Sequence, residues 1–116
     1  MTTWLDRIGT RGVWAPTDGM SLDDAVRFAT RLEELGYGCL WLPETVGRDP
    51  FVHVAHLAGE APTLTFATGI ANIHHRHPGV MLQAANAITN ADIQQAGRYE
   101  RHPGKRRRHQ PLTRRA

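Results

Sequence analysis

Phe66-Ala67-Thr68-Gly69-Ile70-Ala71-Asn72-Ile73-His74-His75-Arg76-His77-Pro78 decides how this chain folds. Leu64 and Phe66, with the β-branched Thr65, Thr68 and Ile70, favour extended backbone. Gly69 stands where that strand should end, and a glycine there marks a bulge or a close approach of backbone to a ligand. A polar loop rich in histidine follows. Pro78 then fits the first turn of a helix, where no backbone donor is needed. Loops after parallel strands are where α/β proteins keep their chemistry. The competing reading is an ordinary strand-loop-helix connection.

The same unit occurs twice upstream. Arg11 to Pro16 is a short strand that Pro16 ends, and Thr17-Asp18-Gly19 is turn material. Ser21 to Leu35 is the clearest helix, with Ser21 as cap, Asp24 completing a capping-box pattern and Asp23 set four residues before Arg27. Leu22, Ala25, Val26, Ala29 and Leu32 form its apolar face, and Gly36 is placed to end it in the left-handed conformation. Gly38 to Leu42 is apolar without alternation, as expected of a parallel strand buried on both faces. Asp49-Pro50 opens a second helix with Phe51, Val54, Ala55 and Ala58 inward, and Pro62 closes it. A third helix runs from about Pro78 with Val80, Met81, Ala84, Ala85 and Ile88 inward. The strands begin near positions 11, 38 and 64, a spacing of 27 and then 26 residues. Such βα units make an α/β fold with a parallel sheet, either doubly wound or part of an eight-stranded barrel. A whole barrel needs about 250 residues, so 116 residues hold only its first three units.

Composition divides the chain at Ala91. The net charge of +3 is the sum of −3 over residues 1–91 and +6 over residues 92–116. The first part is expected to be the folded α/β region. Residues 92–116 are expected to form a disordered Arg-rich tail, because Gly97 to His109 has no apolar face to offset chain entropy. Arg106-Arg107-Arg108 and Arg114-Arg115 allow non-specific contact with nucleic-acid phosphates, and a small basic nucleic-acid-binding protein is the reading from another class. Only Tyr99 is available there for base stacking. No run of about 18 apolar residues suggests a membrane span, and no basic-then-apolar leader opens the sequence. The single cysteine, Cys39, lies in an apolar run and points to a reducing cytoplasm and an inert thiol.

Several stretches, in order, resemble the luciferase-like monooxygenase superfamily, and most of all its branch of oxidoreductases that use the deazaflavin coenzyme F420. They are Gly12-Val13-Trp14, Ala25 to Gly38 with Leu40-Trp41-Leu42-Pro43-Glu44, Gly47-Arg48-Asp49-Pro50-Phe51, Thr68 to Ile73, and Arg76-His77-Pro78-Gly79. The resemblance covers residues 11 to about 89. It implies a (β/α)8 (TIM) barrel with the cofactor at its C-terminal mouth, and hydride transfer between the deazaflavin and an organic substrate. FMN, in a flavin-dependent monooxygenase, is the alternative within the class. Near Ile88 the expected fourth strand fails to follow, and Gly97-Arg98-Tyr99 is only a faint echo of it. The sequence therefore reads as a truncated family member, inactive alone, with an out-of-frame tail.

The resemblance implies a cofactor site made of Glu44, Gly69, Ile70, Ala71, Asn72 and Arg76. Glu44 would orient the cofactor or help move a proton. Gly69, Ile70, Ala71 and Asn72 would form the bulge under its ring, with a non-prolyl cis peptide at Gly69-Ile70 as one option. Asn72 offers hydrogen bonds to the ring edge or substrate, and Arg76 would meet a phosphate or a structural carboxylate. His74, His75 and His77 sit too close together on a short loop to converge on zinc, so no metal is expected and His77 is assigned to the helix cap. His53 and His56 are placed on the surface. No residue is assigned a catalytic role.

Overall fold

A computed structural model describes residues 3–101. The elements are α1 (Trp4–Ile8), β1 (Gly12–Trp14), α2 (Leu22–Glu34), β2 (Cys39–Pro43), α3 (Pro50–Glu60), β3 (Thr65–Ile70) and α4 (Pro78–Arg101). The strands form one parallel sheet in the order β1-β2-β3. Each strand lies beside its predecessor in sequence, as the regular βα spacing requires. This order suits a barrel segment and also one half of a doubly wound sheet.

Local chemistry accounts for the element ends. Ser21 caps α2 by accepting from the Asp24 backbone N–H, while the Asp24 carboxylate meets Arg27 and the Ser21 hydroxyl rather than the Ser21 backbone N–H. The expected box is therefore half made, and Arg27 pairs with Asp24 instead of Asp23. At the other end Gly36 takes φ +82°, Tyr37 N–H reaches Leu32 C=O, and Gly36 N–H reaches Glu33 C=O. That is the Schellman arrangement, which only a residue tolerant of positive φ completes without strain. Asp49 caps α3 through the N–H groups of Phe51 and Val52, with Pro50 in the first turn. The lead-in contains a helix that the weak periodicity hid: Thr3 and Asp6 form a full capping box at the start of α1.

The core lies between one face of the sheet and α2 and α3. Ala25, Val26, Ala29 and Leu32 meet Leu40 and Leu42 of β2 and Val54 and Leu57 of α3, with Leu64 closing one end. On α3 the inward face is His53, Val54, Leu57 and Ala58, whereas Ala55 points out. Side chains alternate along a strand, so Trp14 and Trp41, paired across β1 and β2, share the opposite face with Ala67. Trp14 is 59% exposed and Trp41 38% exposed. The expectation that β2 is buried on both faces therefore fails, because no helix covers the second face at Trp41.

Two features fall at the C-terminal part. The β2–β3 register slips between Leu42, opposite Thr68, and Pro43, opposite Ile70, so Gly69 is the extra residue of a β-bulge. No cis peptide occurs among the described residues, so the bulge is built on a trans Gly69-Ile70 bond. Helix α4 continues to Arg101, ten residues beyond the boundary expected at Ala91. Ala91, Ile93, Gln94, Gln95 and Ala96 are tolerant enough of helix to carry it past the end of its apolar face. The arginine runs at 106–108 and 114–115 lie outside the described residues.

Candidate functional site

The loops leaving the C-terminal ends of the three strands are tied to one another. After β1, the Asp18 carboxylate accepts from the Thr45 hydroxyl and from Gly47 N–H (2.9 Å) in the loop after β2. The Thr45 bond, ahead of the other contacts, holds the Asp18 carboxyl below its ordinary range. In return Arg48 donates to the carbonyls of Thr17 (2.9 Å) and Met20. Thr17, almost fully buried, is hydrogen-bonded through Oγ1 to His53 Nε2 of α3 at 2.8 Å. His53 is 5% exposed and its Nδ1 has no partner. Burial pushes its pKa down, so the folded ring takes up a proton less readily than a free imidazole. The surface position expected for His53 is wrong: α3 turns that residue inward beside Thr17.

The loops after β2 and β3 are joined by a clamp centred on Glu44. Arg76 donates to both carboxylate oxygens, from Nη2 to Oε1 at 2.6 Å and from Nη1 to Oε2 at 2.8 Å. His75 Nδ1–H donates to Oε1 (2.8 Å), and Asn72 N–H to Oε2 (2.7 Å). Glu44 N–H in turn holds the Ile70 carbonyl (2.9 Å). The side chains of Glu44 and Arg76 are 5% and 10% exposed. The forked guanidinium, followed by the His75 and Asn72 donors, lowers the Glu44 pKa to about 2 against the cost of burial. Arg76 is finished by Asp49 Oδ2 (3.2 Å) and by the Phe51 ring, 5.2 Å from its guanidinium carbon.

Four of the expected site residues therefore meet. Glu44, Asn72 and Arg76 form the clamp, and Ile70 is held by it. Glu44 has each oxygen doubly engaged, so at neutral pH it is a fixed anion that exchanges no proton. Gly69 lies one residue before the clamp, and Ala71 links the bulge to Asn72. The place a side chain would take on Gly69 is filled by the Trp14 indole, whose Nε1 would lie 2.5 Å from an added Cβ. The histidines divide their labour: His75 reaches Glu44 and the Asn72 amide, His74 N–H donates to Asn72 Oδ1, and His77 Nδ1 accepts from Gly79 N–H at the start of α4. No group of three metal-binding side chains occurs among the described residues. Asp18, Arg48, Thr17, Asp49 and Trp14 were missed. Thr-Asp-Gly at 17–19 and Arg48-Asp49 read locally as a turn and a helix start, and nothing within either segment signals its partner in the other.

A shallow cleft of about 560 Å³ opens between the second and third loops, lined by Glu44, Val46, Arg48, Asp49, His75 and Arg76. The family model described as luciferase-like monooxygenase matches residues 7–100. The chain belongs to the luciferase-like monooxygenase family. No curated protein and no solved structure matches it. The match reaches past Ile88, where the resemblance was expected to break off, and takes in nearly all of α4. Membership in the luciferase-like family makes this an oxidoreductase class whose members use flavin or F420. All three tied loops of this luciferase-like chain fall inside the matched span. No described helix is long and apolar enough to cross a membrane.

Proposed function

We propose that the chain forms the first three βα units of a luciferase-like TIM barrel that uses coenzyme F420 for hydride transfer to or from an organic substrate, and that it is inactive alone. The bulge at Gly69 beside the Glu44–Arg76 clamp carries this reading. It lies at the C-terminal ends of parallel strands, where barrel enzymes bind ligands. Gly69, Ile70, Ala71 and Asn72 supply the ring side of the site, while Glu44 and Arg76 fix its shape.

The residues present fit the ring better than the anionic tail. Ile70 and Ile73 offer bare apolar surface next to the bulge. Arg48 and Arg76, the guanidiniums of the cleft, are both spent on protein acceptors. A phosphate-bearing tail must be held by residues beyond these three units. The bound deazaflavin supplies the hydride chemistry; the chain orients the ring and keeps its mouth loops in place.

Titration of the purified chain with F420 and with FMN, followed by cofactor absorbance, tests this. Binding weaker than micromolar with F420 preferred, and no turnover, is the expected outcome. Preference for FMN would move the chain to the flavin-dependent alternative. Micromolar affinity or turnover would remove the claim that the site is incomplete.

A further inference from the structure

We propose that the Trp14 indole is the platform on which the planar ring of the ligand stacks, and that position 69 is glycine to seat that indole. The proposal rests on the cofactor reading above and goes beyond it by naming what the ring touches. An added Cβ at Gly69 would stand 2.5 Å from Trp14 Nε1 and 2.7 Å from Cδ1, closer than real Cβ atoms approach. At position 69 the bulge is thus covered by the indole, so a ring resting on Ile70, Ala71 and Asn72 meets tryptophan rather than glycine there. Trp14 is the last residue of β1 and so sits at the C-terminal edge of the sheet. With one side against Gly69, it remains 59% exposed.

Trp41 shows that the placement is directional. It pairs with Trp14 across the sheet but leans the other way, over Gly12, where an added Cβ would lie 3.2 Å from its Nε1. One indole points toward the strand starts and the other toward the mouth, each seated on a glycine. Only Trp14 sits on the residue next to Ile70, which is exposed and whose carbonyl Glu44 N–H holds. A bare indole beside an isoleucine favours a flat ring with polar edges, because offset stacking buries both faces and leaves the edges wet. A flavin or deazaflavin ring has that shape. An aliphatic substrate chain would gain area there but no stacking.

The test uses the whole 116-residue chain and three probes: riboflavin, which carries the ring without phosphate, FMN and F420. Trp14→Ala is expected to weaken riboflavin binding roughly tenfold, and Trp14→Phe to restore most of it. Gly69→Ala, which displaces the indole while leaving it in the chain, should weaken binding as well. The Phe and Gly69 variants keep the test valid if Trp14→Ala perturbs folding. Equal riboflavin affinity in wild type and Trp14→Ala, or no riboflavin binding by wild type, overturns the proposal. If F420 binds wild type and Trp14→Ala alike, the oxidoreductase reading stands and the Trp14 role falls. If riboflavin binds through Trp14 while neither F420 nor FMN displaces it, the Trp14 role stands and the cofactor reading falls.

Discussion

At the scale of single residues, Glu44 shows how a side chain chosen for chemistry can prove to be architecture. Removing its charge leaves the nearly buried Arg76 guanidinium facing an amide, with one acceptor oxygen in place of two and no countercharge. Glu44→Gln is expected to destabilise the fold by about 2–3 kcal/mol, read from urea denaturation. The pH dependence has a definite sign. The folded pKa of about 2 lies below the ordinary 4.5, so the stabilisation is complete above 4.5 and is lost as pH falls toward 2. Glu44→Gln should flatten that part of the stability curve, and an unchanged acid limb would show that the clamp does not form in solution. Glu44, Arg76 and Asn72 were singled out by the resemblance, and the structure brings them together from the loops after β2 and β3. The meeting of Trp14 with Gly69 was not legible, because it joins residues 55 positions apart through a sheet register that no local pattern encodes.

At the scale of elements, α3 is the instructive case. Its apolar periodicity was readable, yet counting from Phe51 turned the helix so that Ala55 faced inward and His53 outward. Thr17 decides the true rotation, since its hydroxyl gives the buried imidazole a partner. The groups facing His53 are Thr17 and Asp18 from the loop after β1, Arg48 from the loop after β2, and His56 on its own helix. Burial leads Arg48 and His56 in lowering its pKa, and Asp18 opposes them. The unfolded chain therefore takes up a proton first as pH falls below 6.5. Stability is expected to be full above that value and to decline as pH drops through the folded pKa, with thermal melts at pH 7.5 and 5.5 as the check. Thr17→Val should cost about 1–3 kcal/mol by leaving both ring nitrogens unpaired. A substitution as mild as a surface Thr→Val would show that the pair is loose. Helix caps at Ser21 and Asp49 and the glycine stop at Gly36 were all visible in sequence, because caps are local. The extra reach of α4 was hidden by charge, which says little about helix once apolar packing ends.

For the molecule as a whole, the alternation of strand and helix was enough to give a parallel α/β sheet. What it could not give is which face stays open, since Gly38 to Leu42 is apolar without alternation and Trp41 reads as buried with the rest of that strand. With β1 and β3 each paired on one side among the described residues and an indole-bearing face uncovered, the sheet offers two unpaired edges and an apolar surface. The isolated chain is expected to bind a hydrophobic dye and to be poorly soluble, self-associating as its concentration rises. A monomer at all concentrations that binds no dye would contradict this.

Cys39 turns the middle strand into its own clock. It is fully buried at the start of β2, between two neighbouring strands, and burial raises its thiol pKa. A thiol reagent can reach it only when the sheet parts. At high reagent concentration the labelling rate should level off at the rate of that parting, whereas at low concentration it should report how much of the population is open. Holding the mouth loops together ought to slow the clock, so Glu44→Gln should label faster than wild type. Labelling at the speed of a free thiol in both would mean that β2 is never sheltered.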